Sequence, residues 1–279
     1  MEKPIYFLKL EISGGNYDAR VNDCPIVSER EGSPVSATIP INEWIEGGGN
    51  LLTVRLTPIQ GEEIAKMKPQ VSATLSAMPF ASLSAGGSEI PLRSFTFGRA
   101  AAEKGAETPA DVPSLPFRAD TLEGGILLTA AFDAERSIPP LPWSAGKAEP
   151  ITEDVTKALT DHLKTLWQIL NTKDLPALRT WFVHRNRDVA ARRYTDLADV
   201  EKSTEASFAA AFKDAEMPLH PFWERDLVTV AYGYGRLLRV EIGPLGKSPV
   251  FFAEKDFSVI NYIEIGFCRI PEVGFAAIR

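Results

Sequence analysis

The side chains that most often act as nucleophiles, acid–base catalysts or metal ligands are few in this chain and widely spaced. The three histidines are His162, His184 and His220, and no two of them stand three or four residues apart. A metal centre made from them would need ligands from distant parts of the chain. The two cysteines, Cys24 and Cys268, lie near opposite ends and match neither a metal motif nor a disulfide framework. The sequence therefore predicts no metal, no cofactor and no catalytic residue.

One set of aromatic side chains and a carboxylate lies on or beside predicted strands near the end of the chain. If these strands curve around a cavity, their alternating side chains would place several members on its inner face. The result would be an aromatic pocket with a single acid, and ordinary core packing is the alternative role for the same residues. The members of this set are Trp223, Tyr232, Tyr234, Tyr262 and Glu264.

The net charge of −7 is concentrated in the first half of the chain. Residues 1–145 contain 12 basic and 18 acidic residues, a net charge of −6, whereas residues 146–279 contain 18 and 19, a net charge of −1. Nucleic-acid phosphates require clustered Lys and Arg, so this balance disfavours a direct nucleic-acid partner. It favours a basic protein partner that is drawn in by electrostatic steering. The candidate steering charges are Glu43, Glu46, Glu62 and Glu63.

A proline-rich stretch, residues 136–150, separates two patterns of apolar residues. Its four prolines each remove a backbone donor and fix φ, which stops helices and sheets from running through it. The apolar residues alternate before this stretch, while after it they recur first at helical and then at strand spacing. The sequence therefore predicts an α+β fold of two domains, residues 1–135 and residues 151–279, joined by this linker.

The first half is predicted to form an antiparallel β-sandwich of the jelly-roll kind. Its short runs of alternating apolar residues are separated by Gly, Pro or charged turns, as in sheets that bury one face. Residues 100–116 are polar and proline-rich and predict an excursion between strands, with an arm that orders on a partner as the alternative. The predicted strands cover residues 5–12, 17–22, 35–39, 50–57, 71–77, 94–97 and 126–132.

The segment from Arg20 to Leu56 contains VNDCPI followed by IPINEWIEGGGNLLTVRL. This pair resembles a pattern of jelly-roll modules of the galactose-binding type, in which V-N-G-x-P precedes a turn with a Trp and then G-x-N-x-L-x-V-x-L. Asp23 departs from the pattern, because glycine is usual at its position. The resemblance implies a fold rather than a ligand. Trp44 is predicted to plug the core, with a sugar-stacking platform as the alternative.

The second half is predicted to form helices packed on a curved antiparallel sheet. Thr152 is a candidate N-cap, and the apolar residues after it recur at three- and four-residue steps over about five turns. This order of elements, with YGYGRLLRVEI as a hairpin, resembles the nuclear transport factor two-like cone, which implies a cavity used for catalysis in some members and for binding in others. Shorter helices are expected near residues 175–182 and 208–212, and strands at residues 227–232, 236–242, 250–253 and 259–270.

The one basic cluster of the chain follows the second predicted helix. It comprises His184, Arg185, Arg187, Arg192 and Arg193, with acidic residues close by in the sequence. This pattern predicts a solvated helical face whose charges pair with one another. A specific contact with an anion or an acidic protein is the alternative.

Three classes of function fit these features. The N-terminal residues lack a secretory pattern and no run of about 20 residues is apolar, so we expect a cytoplasmic protein that does not cross a membrane. In length, element order and acidity the chain resembles the two-domain bacterial immunity proteins that neutralise type VI secretion nuclease toxins, which implies non-catalytic blockade of a basic protein toxin. The alternatives are a small-molecule or carbohydrate-binding accessory protein and a cone-fold isomerase or hydratase with Glu264 as base.

Overall fold

Helices and several antiparallel sheets make up the fold seen in the computed structural model. Two compact units divide the chain, Met1–Leu141 and Pro142–Arg279, and the division falls within the proline-rich stretch. The predicted excursion at residues 100–116 lies for the most part outside the residues that the structure describes. The described residues are 3–59, 62–83, 85–98, 112–243 and 245–278.

The strands of the first unit form where apolar and polar side chains alternate. In the first strand Leu8, Leu10 and Ile12 are buried, while Lys9 between them is exposed. A strand with this pattern covers a core with one face and meets water with the other. The elements of this unit are β1 (Pro4–Ser13), β2 (Asn16–Val21), β3 (Cys24–Glu29), β4 (Val35–Pro40), β5 (Gly48–Thr57), a 3₁₀ turn (Ile64–Lys66), β6 (Gln70–Pro79), α1 (Phe80–Leu83), β7 (Ile90–Gly98), β8 (Phe117–Leu122) and β9 (Gly125–Ala134).

These strands form two antiparallel sheets, in the orders β4-β1-β6-β7 and β3-β2-β5-β9-β8. One buried cluster takes side chains from both sheets, among them Leu10 from β1 and Val54 from β5. Trp44 packs against this cluster, which confirms that it serves as a core residue. The core of the first unit therefore takes side chains from both sheets.

In the two-residue turn between β2 and β3, Asp23 occupies the position where the jelly-roll pattern has glycine. Val21 and Cys24 are paired, so Asn22 and Asp23 alone make the turn, and their φ angles are 50° and 62°. A type I′ hairpin turn needs left-handed backbone at both positions and favours glycine at the second. Asp23 adopts this conformation, and its carboxylate accepts a hydrogen bond from Arg20 Nη1 at 2.9 Å.

The second unit begins with a long amphipathic helix that follows the predicted N-cap. The Thr152 hydroxyl accepts a hydrogen bond from Val155 N at 3.2 Å, which confirms the cap, and the helix ends at Lys173 in left-handed backbone with φ of 57°. Its buried face is apolar at helical spacing. The elements of this unit are α2 (Glu153–Thr172), α3 (Leu175–Trp181), α4 (Val183–Arg193), α5 (Leu197–Ala211), β10 (Leu227–Tyr232), β11 (Leu237–Ile242), β12 (Phe251–Ala253), β13 (Ile260–Tyr262), β14 (Phe267–Ile270) and β15 (Gly274–Ala277).

The predicted continuous strand over residues 259–270 is wrong. Its first part, β13, pairs with β12 in a two-stranded sheet, while its last part, β14, joins a separate sheet of order β10-β11-β14-β15. Between the two parts the chain passes close to Leu237, since a Cβ on Gly266 would lie 3.0 Å from that side chain. One apolar run therefore serves two sheets. In the core of this unit, Leu159 and Leu163 of α2 cluster with Leu238 and Phe267.

The proline-rich stretch is shared between the two units. In the first unit Ile138 is buried in the core cluster, and its carbonyl accepts a hydrogen bond from Gly47 N at 3.2 Å. In the second unit Trp143 is buried, and the Ser144 carbonyl accepts a hydrogen bond from Arg236 Nη1 at 2.9 Å. Each part of the stretch is thus fixed to the unit to which it belongs.

Candidate functional site

A cavity of about 580 Å³ lies in the second unit between α4, α5 and residues 263–265. Cavities of this size accept small organic molecules. Its floor, which we define as its buried lining residues, consists of Phe182, Val189, Val200 and Ile265. The floor is entirely apolar, so polar recognition in this cavity must come from its walls.

Helices α4 and α5 supply the polar walls. Arg185, Val189 and Arg193 stand four residues apart on α4, and this spacing brings all three to the same side of the helix. On α5, Ser203 and Ser207 line the cavity at the same four-residue interval. Helix α4 thus contributes guanidinium groups and α5 contributes hydroxyl groups to the lining of the cavity.

Arg185 is held in place by three contacts on the cavity wall. Its Nη1 donates hydrogen bonds to Asn186 Oδ1 at 3.0 Å and to Thr204 Oγ1 at 3.4 Å. Its guanidinium carbon lies 5.6 Å from the centre of the Phe182 ring. Thr204 also donates to Asn186 Oδ1 at 3.3 Å, so one fully buried amide connects α4 with α5. The guanidinium is therefore fixed before any ligand arrives.

A chain of polar contacts leads from the sheet to the cavity rim. The Tyr232 hydroxyl donates a 2.8 Å hydrogen bond to the buried Glu241 carboxylate. Arg239 lies 3.5 Å from that carboxylate and 5.5 Å from the Tyr232 ring, and it also forms an ion pair with Glu264. Arg239 and Glu241 are two residues apart on β11 and share one face of the sheet. Glu264 thus lines the cavity as the partner of a guanidinium.

The buried residues of α4 correct the prediction of a solvated basic face. Arg192 is fully buried, and its Nε donates to both carboxylate oxygens of Asp188 at 2.9 and 3.1 Å. Asn186 is also fully buried. The charges do pair along the helix as predicted, but this pair lies inside the unit, because α4 packs against α3 and α5. A buried charge of this kind is tolerated only with a close partner.

The structure brings two members of the predicted aromatic set together, Tyr232 and Glu264, through Arg239 and Glu241 as described above. The other three lie in different settings. Trp223 is 37% exposed in the loop before β10, and Tyr234 is 53% exposed in the β10–β11 turn with φ of 58°. Tyr262, on β13, packs its ring 5.4 Å from Phe251, and burial raises the pKa of its hydroxyl.

The four candidate steering charges of the first unit differ in exposure. Glu62 and Glu63 are exposed, and Glu63 lies 3.5 Å from Lys66 in a solvated pair. Glu43 is half-buried in the turn after β4. The Glu46 carboxylate accepts a hydrogen bond from Leu141 N at 3.3 Å, so it has a structural role. Glu62 and Glu63 are the pair that remains most accessible to a partner.

Sequence reasoning did not select Arg185, Arg239 or Glu241 as site residues. Arg185 was placed only within a basic cluster, although its four-residue spacing to Val189 and Arg193 was a detectable signal of one helix side. Arg239 and Glu241 are charged residues that alternate within an apolar strand, which is a signal of a buried polar pair. Tertiary packing brings α4, α5 and residues 263–265 around one cavity. The sequence carries no local pattern that predicts this packing.

Comparisons with protein-family models, with curated proteins and with solved structures found no match to this chain. Within the described ranges, no three His, Cys, Asp or Glu side chains are grouped so that they could hold a metal ion. In the same part of the chain, no helix is both long enough and apolar enough to cross a membrane.

Proposed function

We propose that this chain is a non-catalytic binding protein of the bacterial cytoplasm, and specifically an immunity protein that blocks a basic, nuclease-type secreted toxin. The observation that carries the proposal is the distribution of charge between the units. Residues 1–141 contain 12 basic and 18 acidic residues, whereas residues 142–279 contain 18 and 19. A nuclease needs a basic cleft for the phosphates of its substrate. An acidic unit is suited to cover such a cleft.

Exposed residues of the first unit supply both charges and apolar contacts for this role. Glu62 and Glu63 are accessible to a cationic surface. In an interface of this kind, charges mainly raise the association rate, whereas a few desolvated apolar anchors provide most of the affinity. Among the described residues of this unit, the large apolar side chains that are exposed are Leu83, Ile90, Phe117 and Leu122.

We interpret the first unit as a jelly-roll-like β-sandwich and the second as a cone of helices on a curved antiparallel sheet. The first interpretation is supported by the single buried cluster that both sheets share. The second is supported by the cluster in which Leu159 and Leu163 of α2 meet Leu238 of β11. Neither architecture fixes a function, so the proposal depends on the surface of the first unit.

The setting of Glu264 favours binding over the isomerase or hydratase alternative. A general base must be available to take a proton from the substrate. The Glu264 carboxylate is engaged by Arg239, which also lies 3.5 Å from Glu241. This arrangement suits a structural ion pair at the rim of a binding cavity.

The test is capture of the partner by the full chain from the native cell, followed by co-expression. We expect a basic protein in one-to-one complex, whose toxicity the chain suppresses. The variant Glu62→Lys/Glu63→Lys is expected to slow association about tenfold at low salt. Its matched control is Glu216→Lys/Glu224→Lys, which makes the same charge change at exposed positions of the second unit. A partner without excess positive charge, no rescue of toxicity, or equal slowing by both variants would contradict the proposal.

A second candidate function, binding of a small molecule, is favoured by one specific observation. The second unit contains the cavity of about 580 Å³ with an apolar floor and guanidinium groups on its wall. A cavity that combines an apolar interior with a few placed polar groups is the usual form of a ligand site.

A further inference from the structure

The floor of the α4–α5 cavity suits an apolar ligand body. Phe182, Val189, Val200 and Ile265 are buried, and none of them carries a polar side-chain atom. An alkyl or aryl group placed there would cover apolar surface without removing water from any polar side chain of the floor. The gain from such burial increases with the apolar area that is covered. The floor of the cavity therefore suits a hydrophobic group.

Arg185 is placed to receive an anionic group above this floor. Its hydrogen bonds to Asn186 and Thr204 and its contact with the Phe182 ring fix the plane of the guanidinium. A receptor group that is already ordered loses less conformational entropy on binding. A planar guanidinium matches a carboxylate, because two parallel N–H groups can donate to its two oxygens.

The charges around the cavity are balanced in number, so Arg185 rather than a net charge would select an anion. Arg185 and Arg193 line the cavity together with Asp199 and Glu264, and Glu264 is paired with Arg239. Three guanidinium groups thus stand against three carboxylates once Glu241, the second partner of Arg239, is counted, so the charge that favours an anion is that of the ordered Arg185. The hydroxyl groups on α5 add hydrogen-bond donors beside this charge.

From these features we propose that the cavity binds an organic anion with an apolar body, such as an alkyl or aryl carboxylate. Arg185 holds the carboxylate, and the apolar body lies on the floor formed by Phe182, Val189, Val200 and Ile265. This inference rests on the second candidate function and gives it a ligand class. It does not depend on toxin binding, which concerns the first unit.

The test uses the full chain and three probes of equal chain length, octanoate, octanol and octylamine, titrated by calorimetry and by nuclear magnetic resonance. We expect saturable binding of octanoate, with resonance shifts at floor residues such as Val189 and Ile265. Octanol should bind about tenfold or more weakly, because it lacks the charge that strengthens the hydrogen bonds to Arg185. Octylamine should bind more weakly still, and acetate should bind weakly because it has almost no apolar body.

Three variants test the assigned roles. Arg185→Met is expected to weaken octanoate binding by about 10- to 100-fold. Its matched control, Arg187→Met, changes an exposed arginine of the same helix that does not line the cavity, and should bind octanoate as the wild type does. Ser207→Trp fills the cavity from an exposed helix position and should abolish binding, which keeps the inference testable if Arg185→Met fails to fold.

Several results would overturn the inference. For the wild type, these are the absence of saturable octanoate binding and octanol binding as tight as octanoate binding. For the variants, they are equal weakening of octanoate binding by Arg185→Met and Arg187→Met and unchanged octanoate binding by Ser207→Trp. Because all of these concern the second unit, toxin neutralisation would still be tested separately through Glu62 and Glu63. Failure of one proposal is thus distinguishable from failure of the other.

Discussion

Replacement of Asn50 by alanine is expected to be one of the most damaging single changes in the first unit. Asn50 is only 4% exposed, and its side chain makes four hydrogen bonds. Its oxygen accepts from Asn22 Nδ2 at 2.8 Å and from Glu46 N at 3.0 Å. Its nitrogen donates to the carbonyls of Glu46 and Gly48, each at 2.9 Å. A buried hydrogen bond contributes about 1 kcal/mol net, and the groups left behind lose their partner. We therefore expect Asn50→Ala to lower the free energy of unfolding by about 3–5 kcal/mol.

The matched control is Asn16→Ala, on the neighbouring strand of the same sheet. The Asn16 side chain is half-buried and makes one hydrogen bond, from Nδ2 to the Pro58 carbonyl at 2.9 Å, so its loss should cost about 1 kcal/mol. Urea unfolding followed by circular dichroism gives the overall change. Amide hydrogen exchange at Glu46 and Leu51, whose N–H groups donate to Asn50 and Asn22, reports on the network itself.

A double-mutant cycle separates the network from the loss of one residue. Because Asn22 and Asn50 are directly bonded, the double variant should be less destabilised than the sum of the single variants, by about 1 kcal/mol or more. The reasoning is refuted if Asn50→Ala is no more damaging than Asn16→Ala. Strict additivity of Asn22→Ala and Asn50→Ala would show that the two amides act independently.

Two further predictions concern ion pairs of the second unit. Arg192→Met takes the guanidinium from a largely buried Asp188 and should lower the free energy of unfolding by about 3–5 kcal/mol in urea unfolding. The control Arg187→Met, at an exposed position of the same helix, should lower it much less, and equal effects would contradict this. Hydrogen bonds from Arg269 at 2.7 and 2.9 Å lower the pKa of Glu149. The wild type should therefore be more stable than Arg269→Met at neutral pH, and this difference in the free energy of unfolding should be lost in acid as Glu149 protonates. A difference that does not vary with pH would contradict the prediction.

The alternation of apolar and polar residues predicted the strands that bury one face, but it did not predict the strands that lack such a face. The buried Leu8, Leu10 and Ile12 of β1 alternate with the less buried Phe7, Lys9 and Glu11. In β8 only Asp120 is even partly buried, so no alternation marks this edge strand, which pairs with β9 alone. The short strands β3 and β15 were missed as well. The periodicity of apolar residues indicates which side chains face a core. An edge strand that is held mainly by backbone hydrogen bonds buries few side chains, so its sequence shows little periodicity.

The residues of the candidate site were visible in the sequence, but their grouping was not. Arg185 was recognised within a basic cluster and Glu264 within an aromatic set, as unrelated features. They line one cavity because residues 263–265 leave β13 and pass beneath α4 and α5 before β14 begins. The apolar run over residues 259–270 hid this break, since a continuous run reads as one strand.

The buried polar residues of helix α4 made its position hard to predict, and one of them orients a side chain of the cavity. An amphipathic helix usually presents apolar residues on its buried side, but the buried residues of α4 include Asn186 and Arg192. The position of α4 therefore depends on hydrogen bonds and ion pairs, which are directional and need a specific partner group. Asn186 accepts hydrogen bonds from both Arg185 and Thr204, and thereby ties the guanidinium on the cavity wall to α5. The same buried amide that joins the two helices thus orients the guanidinium that would bind the ligand.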